Sequence, residues 1–155
     1  MESWNTAFRR GLVGGATSSL LSTAALALLG RREAGSAYAP TNAVSHWIYG
    51  DEALHEHTPT LRHTVPGYLI HHGSAMFWSV LLERVCGRLF DRKKPALTLG
   101  VATAASAVAC FADYQLTPRR FQPGYEAHLS KPSLAVVYGV FGVGLALGAM
   151  LSRRS

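Results

Sequence analysis

Seven histidines and a scatter of carboxylates carry whatever chemistry this 155-residue chain can do. Neutral imidazole and carboxylate are the usual ligands of zinc, copper and iron. The group His55, His57, His63, His71, His72, Glu52 and Asp113 is therefore the candidate metal or haem site, or else a solvated polar cluster. Spacing tempers the metal reading. Glu52 and His55 stand three residues apart, which is half of the paired Glu-x-x-His arrangement of di-iron bundles, and no second such pair exists in the chain. H-E-x-x-H, C-x-x-C and C-x-x-C-H are missing, and so is the G-x-S-x-G setting of a serine nucleophile. The sequence thus names no cofactor and leans away from an enzyme.

His71 and His72 are the most informative of the seven, because they fall inside an apolar run, where an ionisable group is costly. On a helix, His72, Met76, Ser79, Glu83 and Cys86 lie within about 80° of one another, so His72, Ser79 and Glu83 form a polar stripe that should face a bundle interior. Asp113, near the end of the next run, could approach His72 or Arg119, and an imidazole held by a carboxylate can relay protons. The plainer alternative places both histidines at headgroup depth, sets Glu83 at the interface beside Arg84 and makes Asp113 a helix cap.

The elements that must position these groups are read from the charge pattern. Charged residues make up 15% of the chain, against roughly 25% in a typical soluble domain. Mean hydropathy is +0.13, and the charges cluster between long uncharged runs. That pattern excludes a disordered chain, a disulfide scaffold and an ordinary soluble α/β enzyme. It predicts a single all-α domain, an integral membrane bundle of four transmembrane helices over about 11–30, 66–86, 95–116 and 132–151. A cleaved signal peptide is the rival reading of the first run, with Ala37-Tyr38-Ala39 as an A-x-A site. The length of the run, the intervening Arg31, Arg32 and Glu33, and Pro40 after the cut oppose it. Gly139, Gly144 and Gly148 in the last run predict close helix packing, the last two in a G-x-x-x-G spacing. Cys86 and Cys110 read as two separate small apolar side chains.

Basic residues flank the runs, so the excess positive charge reads as topology anchoring at a lipid bilayer and not as a nucleic-acid surface. Arg9, Arg10, Arg84, Arg88, Arg92, Lys93, Lys94, Arg153 and Arg154 lie at the termini and in the middle loop. Arg31, Arg32, Arg62, Arg119, Arg120 and Lys131 occupy the two other loops. The bias of nine to six predicts cytoplasmic termini and places every histidine on the outer half. In the first outer loop, Thr41 to Gly50 predicts a short interfacial helix stopped by Gly50. Trp47, Tyr49, Tyr68 and Tyr114 are expected as interfacial anchors.

The stretch Ser45 to Ala53 (SHWIYGDEA), the Tyr114 to Pro118 region and the glycine-rich last helix together resemble a group of small bacterial inner-membrane proteins with no assigned activity. The resemblance runs over nearly the whole chain. It implies an intact four-span protein of the bacterial inner membrane and brings no catalytic residue or cofactor. Three functions remain from the residues: an interaction or accessory subunit with a polar, histidine-rich outer cap, bound to a membrane-protein partner or to its own copies; a metal- or haem-binding redox protein; and a small proton-coupled transporter acting as an oligomer.

Overall fold

The computed structural model describes residues 1–154, and these are all-helical, with no strand among them. Six α-helices follow in order: α1 (Trp4–Glu33), α2 (Ala39–Val44), α3 (His46–Tyr49), α4 (Thr64–Phe90), α5 (Pro95–Phe111) and α6 (Lys131–Leu151). A π-helical turn, Ala112–Leu116, continues α5, and short 3-10 turns cover Gly50–His55, Arg119–Phe121 and Tyr125–Ala127. Three helices are long and apolar enough to cross a membrane: Trp4–Glu33, Pro95–Leu116 and Lys131–Leu151. The 27 residues of α4 suffice in length, at a rise of about 1.5 Å each. Its His71-His72 and Glu83-Arg84 pairs hold down its hydropathy.

The contacts divide into two compact units. The first comprises residues 1–22, 72–109 and 138–154. Here four helical segments pack through small residues. Gly11, Gly14 and Gly15 of α1, spaced three and four apart and hence on one face, lie against Val80, Ser79 and Met76 of α4. A Cβ on Gly11 or Gly15 would fall 2.7 Å from the Val80 Cα or 2.8 Å from the Met76 Cα, closer than any side chain tolerates. Gly144 and Gly148 of α6 meet Ser18 and Gly14 of α1 in the same way, and Gly142 lies against Thr103 of α5. Lipid tails attract an apolar helix face no less than another helix does, so close backbone approach and interhelical hydrogen bonds must supply the preference for helix over lipid. The bonds are present. Thr17 Oγ1 donates to the Gly144 carbonyl at 2.8 Å, and Ser106 Oγ donates to the Tyr138 carbonyl at 2.5 Å. Ala75, Leu82, Phe90, Ala102, Ala109, Phe141, Leu145, Ala146 and Ala149 form the apolar core.

Gly139 does not belong to this packing: it is exposed and nothing lies within 4 Å of a Cβ built there. Three-residue steps move around a helix by about 300°, so Gly139, Gly142 and Gly148 cannot all share one side. Gly142 takes the contact with α5.

The second unit comprises Thr23–His71 and Cys110–Val137. The single interfacial helix expected over Thr41 to Gly50 is replaced by two short helices. All six residues of α2 are buried, so none of its faces is left for a membrane surface. Asn42 explains the burial. Its Nδ2 donates to the Glu56 and Thr58 carbonyls at 3.0 and 2.9 Å, and its Oδ1 accepts from Thr64 Oγ1 at 2.6 Å. Ser36 Oγ accepts from the N–H groups of Tyr38 and Ala39 at 3.1 Å and donates to the His57 carbonyl. Gly50, with φ of 76°, ends α3 in the left-handed region as a stop signal should.

Gly148→Leu should lower the midpoint of thermal unfolding in detergent by many degrees, because α6 is forced off the α1 backbone. Gly139→Leu should leave it nearly unchanged. Equal sensitivity at both positions would contradict this packing.

Candidate functional site

Glu83 and Arg153 make the most deeply buried ion pair among the described residues. Their side chains are 3% and 5% exposed, so the pair is withdrawn from water almost completely. The guanidinium meets the carboxylate in a fork, Nη1 to Oε1 at 2.9 Å and Nη2 to Oε2 at 2.7 Å. Its other donors are also used: Nη1 donates to the Ala149 carbonyl at 2.9 Å, Nη2 to the Gly87 carbonyl at 3.0 Å and Nε to Asp91 Oδ1 at 2.9 Å. Asp91 in turn accepts from Arg10 Nη1 at 2.9 Å. Gly87 makes the arrangement fit, since a Cβ there would approach Glu83 Oε2 at 3.1 Å. Partial burial would raise Asp91. The hydrogen bond from Arg153 and the charges of Arg10 and Arg153 outweigh it and hold that carboxyl below its usual range.

Ser79 and Glu83 of the expected stripe are buried in this unit, and His72 is half-buried with its Nδ1 2.9 Å from Ser19 Oγ. Arg84, beside which one reading set an interfacial Glu83, stacks over the Trp4 ring at 5.0 Å. Arg153 was missed because a basic residue after the last apolar run reads as an anchor. Glu83, with glycine four residues on and no cation at helical spacing, was the available signal of a partner elsewhere in the chain.

The histidines of the second unit do not converge. His63 Nδ1 lies 3.0 Å from Ser45 Oγ and stacks edge-on with Tyr49. His71 Nδ1 lies 2.7 Å from the Tyr125 hydroxyl. Tyr125 is buried, and burial together with the charges of Asp113 and Glu126 pushes its phenol up, so it remains neutral. His46, outside the candidate set, binds the Ala43 carbonyl. His55 is exposed, and exposed Glu52 pairs with Arg62 at 2.6 Å, a surface contact of little energetic weight. Asp113 is half-buried in the π-helical turn. Among the described residues, no three His, Cys, Asp or Glu side chains are grouped to hold a metal ion.

One pairing was not foreseen. The His57 and His128 rings meet edge-on at 5.2 Å, and the buried Nε2 of His128 has no hydrogen-bond partner among the described residues. Burial, then the charges of His57 and His55, push the His128 imidazole down from its ordinary value. Of the aromatic residues expected as anchors, Trp47 is a tie within the unit: its Nε1 donates to the Gln122 carbonyl at 3.0 Å and its ring meets Phe121. Tyr49 carries Arg62 on its face at 4.9 Å. Tyr68 and Tyr114 are half-buried. Compared with protein-family models, curated proteins and solved structures, the chain matches none.

Glu83→Gln should cost about 3–5 kcal/mol by stranding a buried guanidinium, whereas Glu83→Gln combined with Arg153→Met should recover most of that loss in denaturant unfolding. Equal instability of the single and double variants would refute the coupling. For His128 the folded imidazole titrates lower than the unfolded one, so its contribution is full above the ordinary value of 6.5 and is lost as pH falls through the folded value. Stability should therefore begin to decline as pH falls through about 6.5 and go on declining below it, and His128→Gln should flatten the decline. A wild-type profile that the variant reproduces would show that His128 is not its source.

Proposed function

We propose that the chain is a four-span protein of the bacterial cytoplasmic membrane, with both termini cytoplasmic, and that it works as an interaction or accessory subunit through its histidine-bearing second unit. The observation that carries the topology is the shared anchoring of three chain positions. Arg10 near the start of α1, Asp91 after α4 and Arg153 after α6 are joined in one network. If α1 crosses the bilayer, the chain must cross again before Asp91, and α4 is the only helix long enough for that return. α5 and α6 then form the second out-and-back pair. The bias of basic residues toward this end supports cytoplasmic placement.

The assembly reading rests on how the histidines are used. Most are engaged with hydroxyls, a carbonyl or another ring within their own unit, and they knit the loops into a fixed surface. That surface leaves Ile48, Leu61, Leu116 and Phe121 exposed at 58%, 86%, 70% and 49%. A metal-binding alternative has its best support in the His57–His128 pair, where one ring nitrogen lacks a partner.

Reporter fusions after Lys94 and Arg154 should read cytoplasmic, and fusions at Asp51 and Glu126 exterior. An exterior Lys94 would overturn the topology. A photo-crosslinker at Ile48 should give one discrete protein adduct in membranes, weakened by Trp47→Ala, which loosens the tie to Gln122 and Phe121. Adducts to lipid alone would sink the assembly reading, and stoichiometric metal lost in His128→Gln would replace it with the alternative.

A further inference from the structure

In the first unit, an open cavity of about 440 Å³ is lined by Thr6, Arg9, Arg10, Val13 and Ser152. Thr6, Arg9 or Arg10, and Val13 recur at three- and four-residue steps, so they form one stripe of α1, and Ser152 closes the site just beyond the end of α6. The lining is two guanidiniums, two hydroxyls and one apolar side chain. Arg10 Nη1 is committed to Asp91 at 2.9 Å and to Glu2 at 3.9 Å, but Arg9 is exposed and makes no ion pair among the described residues. Thr6 Oγ1 accepts from Ser3 Oγ at 2.9 Å, which leaves its own proton to donate. Two guanidiniums and two hydroxyls around one uncompensated positive charge favour an anion with several acceptor oxygens, and a forked guanidinium suits phosphate in particular.

We propose that this cavity binds the phosphate group of an anionic phospholipid. Phosphate is the chemistry shared with the free ion. The apolar side of the site favours the lipid: Val13 lies one turn beyond the arginines, and Leu20, seven residues further on the same stripe, is 60% exposed. A headgroup held at Arg9 and Arg10 can therefore lay an acyl chain along α1, which inorganic phosphate cannot use. The lipid assignment rests on the membrane reading above, whereas the anion site rests only on the cavity.

The test uses the intact protein in detergent, with dioleoylphosphatidylglycerol, dioleoylphosphatidylcholine and inorganic phosphate as separate probes and native mass spectrometry as readout. Wild-type protein should retain phosphatidylglycerol in preference to phosphatidylcholine. Arg9→Gln, which touches no ion pair, should weaken that retention about fivefold, and Arg154→Gln, an equal loss of charge outside the cavity, should change it less than twofold. Equal losses for the two variants, or no preference between the lipids, would overturn the site. Inorganic phosphate binding as tightly as phosphatidylglycerol, and weakened by Arg9→Gln, would keep the anion site and overturn the lipid. Failure of the four-span topology shows instead in the reporter fusions.

Discussion

The buried fork between Glu83 and Arg153 is the constraint on which the first unit turns. Removing two charges from water costs several kcal/mol per ion, and attraction offsets that only when geometry is good and every remaining donor is used. Both conditions hold, with two carbonyls and Asp91 taking the donors that Glu83 leaves. The consequence is specificity of register. Shifting α4 by one residue would swing Glu83 through about 100° and leave Arg153 without its carboxylate in apolar surroundings. A packing error that an apolar interface would tolerate becomes expensive here.

The glycine contacts need that specificity. Gly11 and Gly15 admit the α4 backbone at Val80 and Met76, Gly14 faces Ser79, and Gly144 and Gly148 admit the α1 backbone at Ser18 and Gly14, so these contacts fit in one register only. Small surfaces give weak positional preference, since Ala and Gly offer little shape to interlock and lipid competes for the same faces. Directional contacts make up the difference: the fork at Arg153, the Thr17 bond to Gly144 and the His72 contact with Ser19 each fix a rotation as well as a distance.

The all-helical fold and three helices of membrane-crossing length were legible because apolar runs bounded by charges have few other solutions. Helical spacing put Ser79 and Glu83 on one face but did not decide between a buried and an interfacial Glu83. What escaped was long-range pairing. Nothing local distinguishes Arg153 from Arg154 as a partner for Glu83, or marks Gly142 over Gly139 as the residue at the α5 contact. The loops escaped for a different reason. Trp47, Tyr49 and Gly50 suggest an interfacial helix by residue type, but Asn42, one polar residue with three good partners, draws the whole of α2 into the interior. A side-chain amide satisfied by distant carbonyls leaves no periodic trace in the sequence.

The two units therefore treat their ionisable groups in opposite ways. In the first, buried charges are neutralised within a closed network, and such a network resists change because losing any member strands the others. In the second, the histidines are distributed among hydroxyls, carbonyls and one another, and His128 makes no ion pair among the described residues. Its ring is kept neutral by burial and by the proximity of His57 and His55. Protonation there would put positive charge beside a second imidazole, and only a hydrogen bond with the Leu54 backbone works the other way. The second unit thus carries one ring whose charge changes in the range where imidazole titrates, whereas the first is held by the ion pairs of Arg153 with Glu83 and Asp91.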